Sequence, residues 1–83
     1  MRLHARLINK EQPTLLIKKT PKLKTQKDYV VKIVNSKNKG VLNGYLRNFN
    51  SEYFGMKFSH KVMEAFGLEY NKEYEVEIED ETP

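Results

Sequence analysis

Residues 62–80 read VMEAFGLEYNKEYEVEIED. Val62, Met63 and Phe66 fall at i, i+1 and i+4, one stripe of a helix turned toward a core. Ser59 stands where a side chain can cap the first turn, and Gly67 where a helix leaves through a left-handed residue. The spacing predicts one short helix over about 59–66. After a turn at 70–73, Tyr74, Val76 and Ile78 alternate with Glu73, Glu75, Glu77 and Glu79. That period of two is a strand, apolar inward and acidic outward.

The rest of the chain is strand-like. RLHARLI sets Leu3, Ala5 and Leu7 against Arg2, His4 and Arg6. TLLIKKT can be a second strand, stopped by Pro21, which lacks an amide hydrogen and restricts Thr20. DYVVKIVNS is β-branched, with Tyr29, Val31 and Ile33 on one side. VLNGYLRN resumes extended structure, although Asn43-Gly44 is also a hairpin-turn or bulge signal. EYFGMKF is a further strand. The expected class is mostly β, in one domain.

Eighty-three residues without cysteine exclude disulfides and thiolate metal sites. The start MRLHARLINK is charged from its second residue and has no apolar h-region, so no signal peptide is expected. No apolar run approaches the ~20 residues that span a bilayer. A cytoplasmic, membrane-free protein is expected. Its net charge is +4, unevenly spread: residues 1–50 hold twelve Lys or Arg against two acids, and residues 51–83 three Lys against nine acids. The halves therefore carry +10 and −6. Either one surface meets a polyanion or the halves neutralise each other within the fold.

Displaced by 39 positions, the chain echoes itself. Leu3, Leu7 and Asn9 fall on Leu42, Leu46 and Asn48; Ile17, Lys18 and Thr20 on Met56, Lys57 and Ser59; Lys22-Leu23 on Lys61-Val62. With six residues fewer in the first copy, Lys27-Asp28-Tyr29-x-Val31-x-Ile33 meets Lys72-Glu73-Tyr74-x-Val76-x-Ile78. Two pseudo-repeats, 3–36 and 42–79, follow, the first with a loop, PKLKTQ, in place of the helix end. One such unit cannot bury its own apolar face, whereas two interleaved units can close a barrel. Chance sharing of β spacing is the alternative.

MKFSHKVMEAFGLEYNKEYEVEIED resembles the core of the AbrB/MazE family of regulators and antitoxins. Phe66-Gly67-Leu68 stands for the family's L-G-L, Tyr70 to Glu73 for its turn, and Tyr74, Val76 and Ile78 for its closing strand. The usual Gly-Asp is replaced by Asn71-Lys72, and Asn tolerates left-handed geometry. The wider pattern (Ala5, Leu7, Asn43, Gly44) is similar to a related group of single-chain duplicated domains of unknown function. The resemblance implies a double-split β-barrel with swapped hairpins. In a self-contained duplicated chain it implies a monomer; in the family itself, a dimer. It also implies DNA contact through basic residues of the early strands and loops.

Lys18, Lys19, Lys22, Lys24 and Lys27 lie within ten residues, with Lys37, Lys39 and Arg47 beyond. They are either a phosphate-binding surface, whose affinity salt weakens, or a solvated loop. Lysine without arginine supplies charge but little bidentate base readout. The acidic strand is read as the cross-strand partner of Arg2, Arg6 or Lys32. Tyr45, Phe49, Tyr53, Phe54 and Phe58 are interleaved with Arg47 and Lys57, a pattern that can stack a single strand beside positive charge. Core packing is the main expected use, with Phe49 the expected exposed exception. His4 and His60 have no companions at ligand spacing, and Ser36, Ser51 and Ser59 no activating base, so neither metal, cofactor nor enzymatic chemistry is expected. The expected function is nucleic-acid binding, DNA ahead of RNA. The alternative is an antitoxin-like adaptor that docks on an acidic protein.

Overall fold

The computed structural model of the chain describes residues 1–35 and 40–80. Its strands are β1 (Arg2–Ile8), β2 (Thr14–Lys18), β3 (Lys27–Ile33), β4 (Val41–Asn48), β5 (Tyr53–Lys57) and β6 (Glu73–Asp80), with one helix, α1 (His60–Phe66), before β6. They close a barrel in the order β1-β2-β5-β4-β3-β6, every neighbouring pair antiparallel. Closure leaves no strand edge open. Among the described residues no helix is long and apolar enough to cross a membrane.

The alternation seen in the sequence sets the inside of the barrel. Ala5 and Leu7, Leu15 and Ile17, Tyr29, Val31 and Ile33, Leu42 and Leu46, Phe54 and Met56, and Tyr74, Val76 and Ile78 are all buried. β4 runs straight through Asn43-Gly44, so that pair is not a turn. Gly44 faces the interior, where an added Cβ would lie 2.5 Å from Met56 Sδ and 3.1 Å from the Phe58 ring. Glycine is there for space. β2 is shorter than TLLIKKT: beyond Lys18 the Lys19 N–H turns to the carbonyl of Glu52 at 2.9 Å and the chain leaves the wall.

The helix is as its spacing predicts. Ser59 Oγ accepts from the Val62 N–H at 3.2 Å, and Gly67 ends the helix at φ 66. Met63 is buried, while Val62 and Phe66 are half-buried against the core. Phe58, Met63 and Leu68 close that end of the barrel, and Leu23 closes the other.

Exchanging β1, β2 and β3 for β4, β5 and β6 maps the barrel order onto itself. Two cross-strand pairs map onto themselves, Leu16 with Gly55 and Lys32 with Glu77, and they mark a pseudo-two-fold through the wall. Local contacts repeat as well. The Lys24 N–H donates to Tyr29 Oη at 2.9 Å, and the Glu69 N–H to Tyr74 Oη at 2.8 Å. The Lys19 N–H donates to Glu52 O, and the Phe58 N–H to Pro13 O, both at 2.9 Å. Leu23, which the sequence echo sets on Val62, here stands where Leu68 stands, just before the residue that donates to the tyrosine. The six-residue gap therefore precedes Leu23, because each tyrosine needs its own loop within reach.

One register departs from this symmetry. Arg6 lies opposite Leu16, so the exchange would set Tyr45 opposite Gly55; instead Arg47 is there, two residues on.

Candidate nucleic-acid interface

Outward side chains divide the barrel wall by charge. The adjacent strands β1, β2, β5 and β4 contain Arg2, Arg6, Lys18, Lys57 and Arg47 and not one Asp or Glu. β6 carries Glu73, Glu75, Glu77, Glu79 and Asp80. Part of the basic set is spent on the acidic strand. Arg2 lies 3.2 Å from Glu77 and 3.7 Å from Glu75, and the Met1 ammonium is 3.0 Å from Glu77. These hydrogen bonds, the ammonium's first and then Arg2's, hold the Glu77 carboxyl below the usual range. His4 Nδ1 is 4.0 Å from Glu73. Arg6 and Lys32 lie opposite Glu73 and Glu77 in the register, yet neither forms an ion pair among the described residues.

The centre of the acid-free wall is one cross-strand row, Arg6–Leu16–Gly55–Arg47, running over four strands. Lys18 lies opposite Tyr53 and Lys57 opposite Thr14, so the two lysines flank the row along the strands. Four cations thus surround Leu16 and Gly55. Three strand spacings separate the arginines by about 14 Å, and four residues along the strand separate the lysines by about 13 Å. The two-residue shift of β4 creates this cross, because it brings Arg47 to Gly55 as Arg6 is brought to Leu16. Acids border the wall on both sides: Glu73, Glu75 and Glu77 opposite Arg6, His4 and Arg2 along β1, Asp28 opposite Tyr45 along β4, and Glu11 and Glu52 in the loops.

The other residues expected to bind separate into groups. Lys18 and Arg47 share the wall. Lys19 follows at its end, its ammonium 5.6 Å from the Phe54 ring. Lys22, Lys24 and Lys27 are at the barrel end, around a depression of about 490 Å³ that Leu23, Tyr29, Ile78, Glu79, Asp80 and Met1 also line. Lys27 is paired with Asp80, and that hydrogen bond raises its pKa. Lys22 and Lys24 are exposed and make no ion pair among the described residues. Lys37 and Lys39 lie outside the described residues. The sequence sets Lys57 beside the aromatics of 45–58 and, through the 39-residue echo, on Lys18, but does not place it among the expected binding residues. It also assigned Arg6 to the acidic strand.

Aromatic rings border the same wall. Phe49 is 47 % exposed, as its setting in RNFNSE predicts, while Phe54 and Phe58 are buried. Tyr45 is 39 % exposed under the Arg47 guanidinium, 4.9 Å from its ring centre. Tyr53 is half-buried. A Cβ on Gly55 would lie 3.2 Å from Thr14 Cγ2 and 3.4 Å from Phe49 Cδ1, so Phe49 rests on that bare backbone. His60 Nε2 lies 2.6 Å from the Lys10 carbonyl, tying α1 to the β1–β2 loop. Comparison with protein-family models, curated proteins and solved structures gives no match to the chain.

Proposed function

We propose that the protein binds nucleic acid, DNA ahead of RNA, by laying phosphates on the β1–β2–β5–β4 wall. Arg6, Lys18, Lys57 and Arg47 make the central contacts; Lys19, Lys22 and Lys24 extend the positive field at one end. The observation that carries this reading is the acid-free wall, with four cations set around Leu16 and Gly55. Such a surface attracts a polyanion whatever its sequence, because phosphate contacts position but do not specify. The preference for DNA rests on the AbrB-like run from Phe66 to Ile78. On this reading the chain is a single-chain relative of those barrels, a cytoplasmic non-enzyme and, with every strand paired within one chain, a monomer.

The test is fluorescence anisotropy with labelled DNA and RNA at low and moderate salt. The double variant Lys18→Glu, Lys57→Glu is expected to lose binding while keeping the wild-type melting temperature. Unchanged affinity in a folded double variant refutes the assignment. Docking on an acidic protein is the second reading, favoured by Val41, which is 60 % exposed beside Tyr45's strand face. A partner retained after nuclease treatment of a lysate, together with flat anisotropy curves, would establish it instead.

A further inference from the structure

The wall carries two shallow depressions of similar size on either side of the pseudo-two-fold. One, of about 390 Å³, is lined by Arg6, Leu16, Lys18 and Tyr53 among others. The second, of about 370 Å³, is lined by Arg47, Gly55, Lys57 and Phe49 among others. Each therefore holds one arginine, one lysine and one phenyl or phenol ring; the first also holds His4 and the acid Glu73, whereas the second has no acid in its lining. The aromatic comes from non-equivalent positions, since the symmetry mate of Tyr53 is the buried Thr14, and Phe49 reaches over Gly55 from the following loop.

We infer that the wall takes a single-stranded segment rather than a duplex, one base stacking in each depression and the phosphates between them on Lys18, Lys57, Arg6 and Arg47. The inference rests on the proposed role of this wall. A duplex hides its base faces and offers a convex wall only phosphate ridges, which would use the cations and leave Phe49 and Tyr53 idle. A single strand offers π-faces and phosphates together, and aromatic platforms beside positive charge hold it irrespective of sequence. Strand polarity raises no conflict with a pseudo-two-fold surface. Stacking and charge pairing are both indifferent to the direction of the chain.

The experiment titrates full-length protein into labelled dT12, a 12-base-pair duplex and poly-glutamate, at 50 and 200 mM salt. Wild type is expected to bind dT12 at least tenfold more tightly than the duplex. Phe49→Ala is expected to weaken dT12 about tenfold, the effect of one lost stack, with the duplex unchanged. Phe49→Tyr keeps a stacking face and is expected to restore dT12 affinity, which separates stacking from any disturbance of the fold. Equal or tighter binding of duplex, or a Phe49→Ala variant indistinguishable from wild type on dT12, overturns the single-strand inference and leaves the charged wall standing. Binding of poly-glutamate alone, or of none of the three, overturns the nucleic-acid reading itself.

Discussion

Gln26 and Asn71 do the same thing in the two halves of the barrel. Each sits in the left-handed region, at φ 58 and φ 65, and each donates its backbone N–H over 2.7 Å to a leucine carbonyl, Leu46 and Leu7 respectively. Both stand just ahead of the strand that the other half flanks, so the bond ties each loop to the opposite pseudo-repeat. The geometry is tolerable for Asn and less so for Gln, which cannot make the same short local contacts. Gln26→Gly is therefore expected to raise stability by up to about 1 kcal/mol, and Asn71→Ala to lower it by about 1 kcal/mol. Urea unfolding of the two variants checks both signs.

Gly44 is held by volume. With only 2.5 Å from an added Cβ to Met56 Sδ, Gly44→Ala is expected to cost about 1–3 kcal/mol by overpacking. Gly55→Ala meets Thr14 and an exposed Phe49, and the latter can move. Its thermal shift is expected to be smaller, with Phe49 displaced from the wall.

Tyr29 and Tyr74 anchor the loops before their strands through their hydroxyls. Tyr29→Phe and Tyr74→Phe each leave a loop N–H without its acceptor, and each is expected to cost about 1 kcal/mol. Amide exchange at Lys24 or Glu69 should accelerate in the matching variant alone. Acceleration of both amides in either variant would mean that the loops open together.

Glu77 and Lys27 give stability opposite pH limbs. The Glu77 pKa is depressed by the Met1 ammonium and Arg2, so its contribution is complete above the ordinary glutamate value and is lost as pH falls through its own lower value. The Lys27 pKa is raised by Asp80, so its contribution is complete below the ordinary lysine value and is lost as pH rises through its own higher value. Melting curves from pH 2 to 12 should show Glu77→Gln flattening the acid limb and Lys27→Met the alkaline one.

Four phosphate contacts on the wall imply a log–log salt slope of about −3 to −4 for duplex, smaller in magnitude for single strands. Arg47→Ala should reduce the magnitude of that slope by about one. Lys27→Ala, already paired with Asp80, should leave it unchanged. Equal slopes in both variants would remove Arg47 from the interface.

Much of this molecule is legible locally. Tyr29, Val31, Ile33 and Tyr74, Val76, Ile78 point inward because side chains alternate along any strand, and Ser59 and Gly67 bound the helix through contacts within a turn or two. The 39-residue echo even pairs Lys18 with Lys57. Strand neighbours are another matter, since they join residues far apart in the chain and depend on how six strands close. Nothing near Arg47 says that it will face Gly55 rather than Tyr53, and nothing near Arg6 says that it will share a row with Arg47. The one-dimensional run of lysines divides in space for the same reason: Lys18 belongs to the wall, while Lys22, Lys24 and Lys27 lie at the barrel end. Short-range sterics and hydrogen bonds, written in the order of the residues, set which face of each strand is apolar and where the helix begins and ends. Which charges stand together follows from barrel closure and a two-residue register shift, and both join residues far apart in the chain.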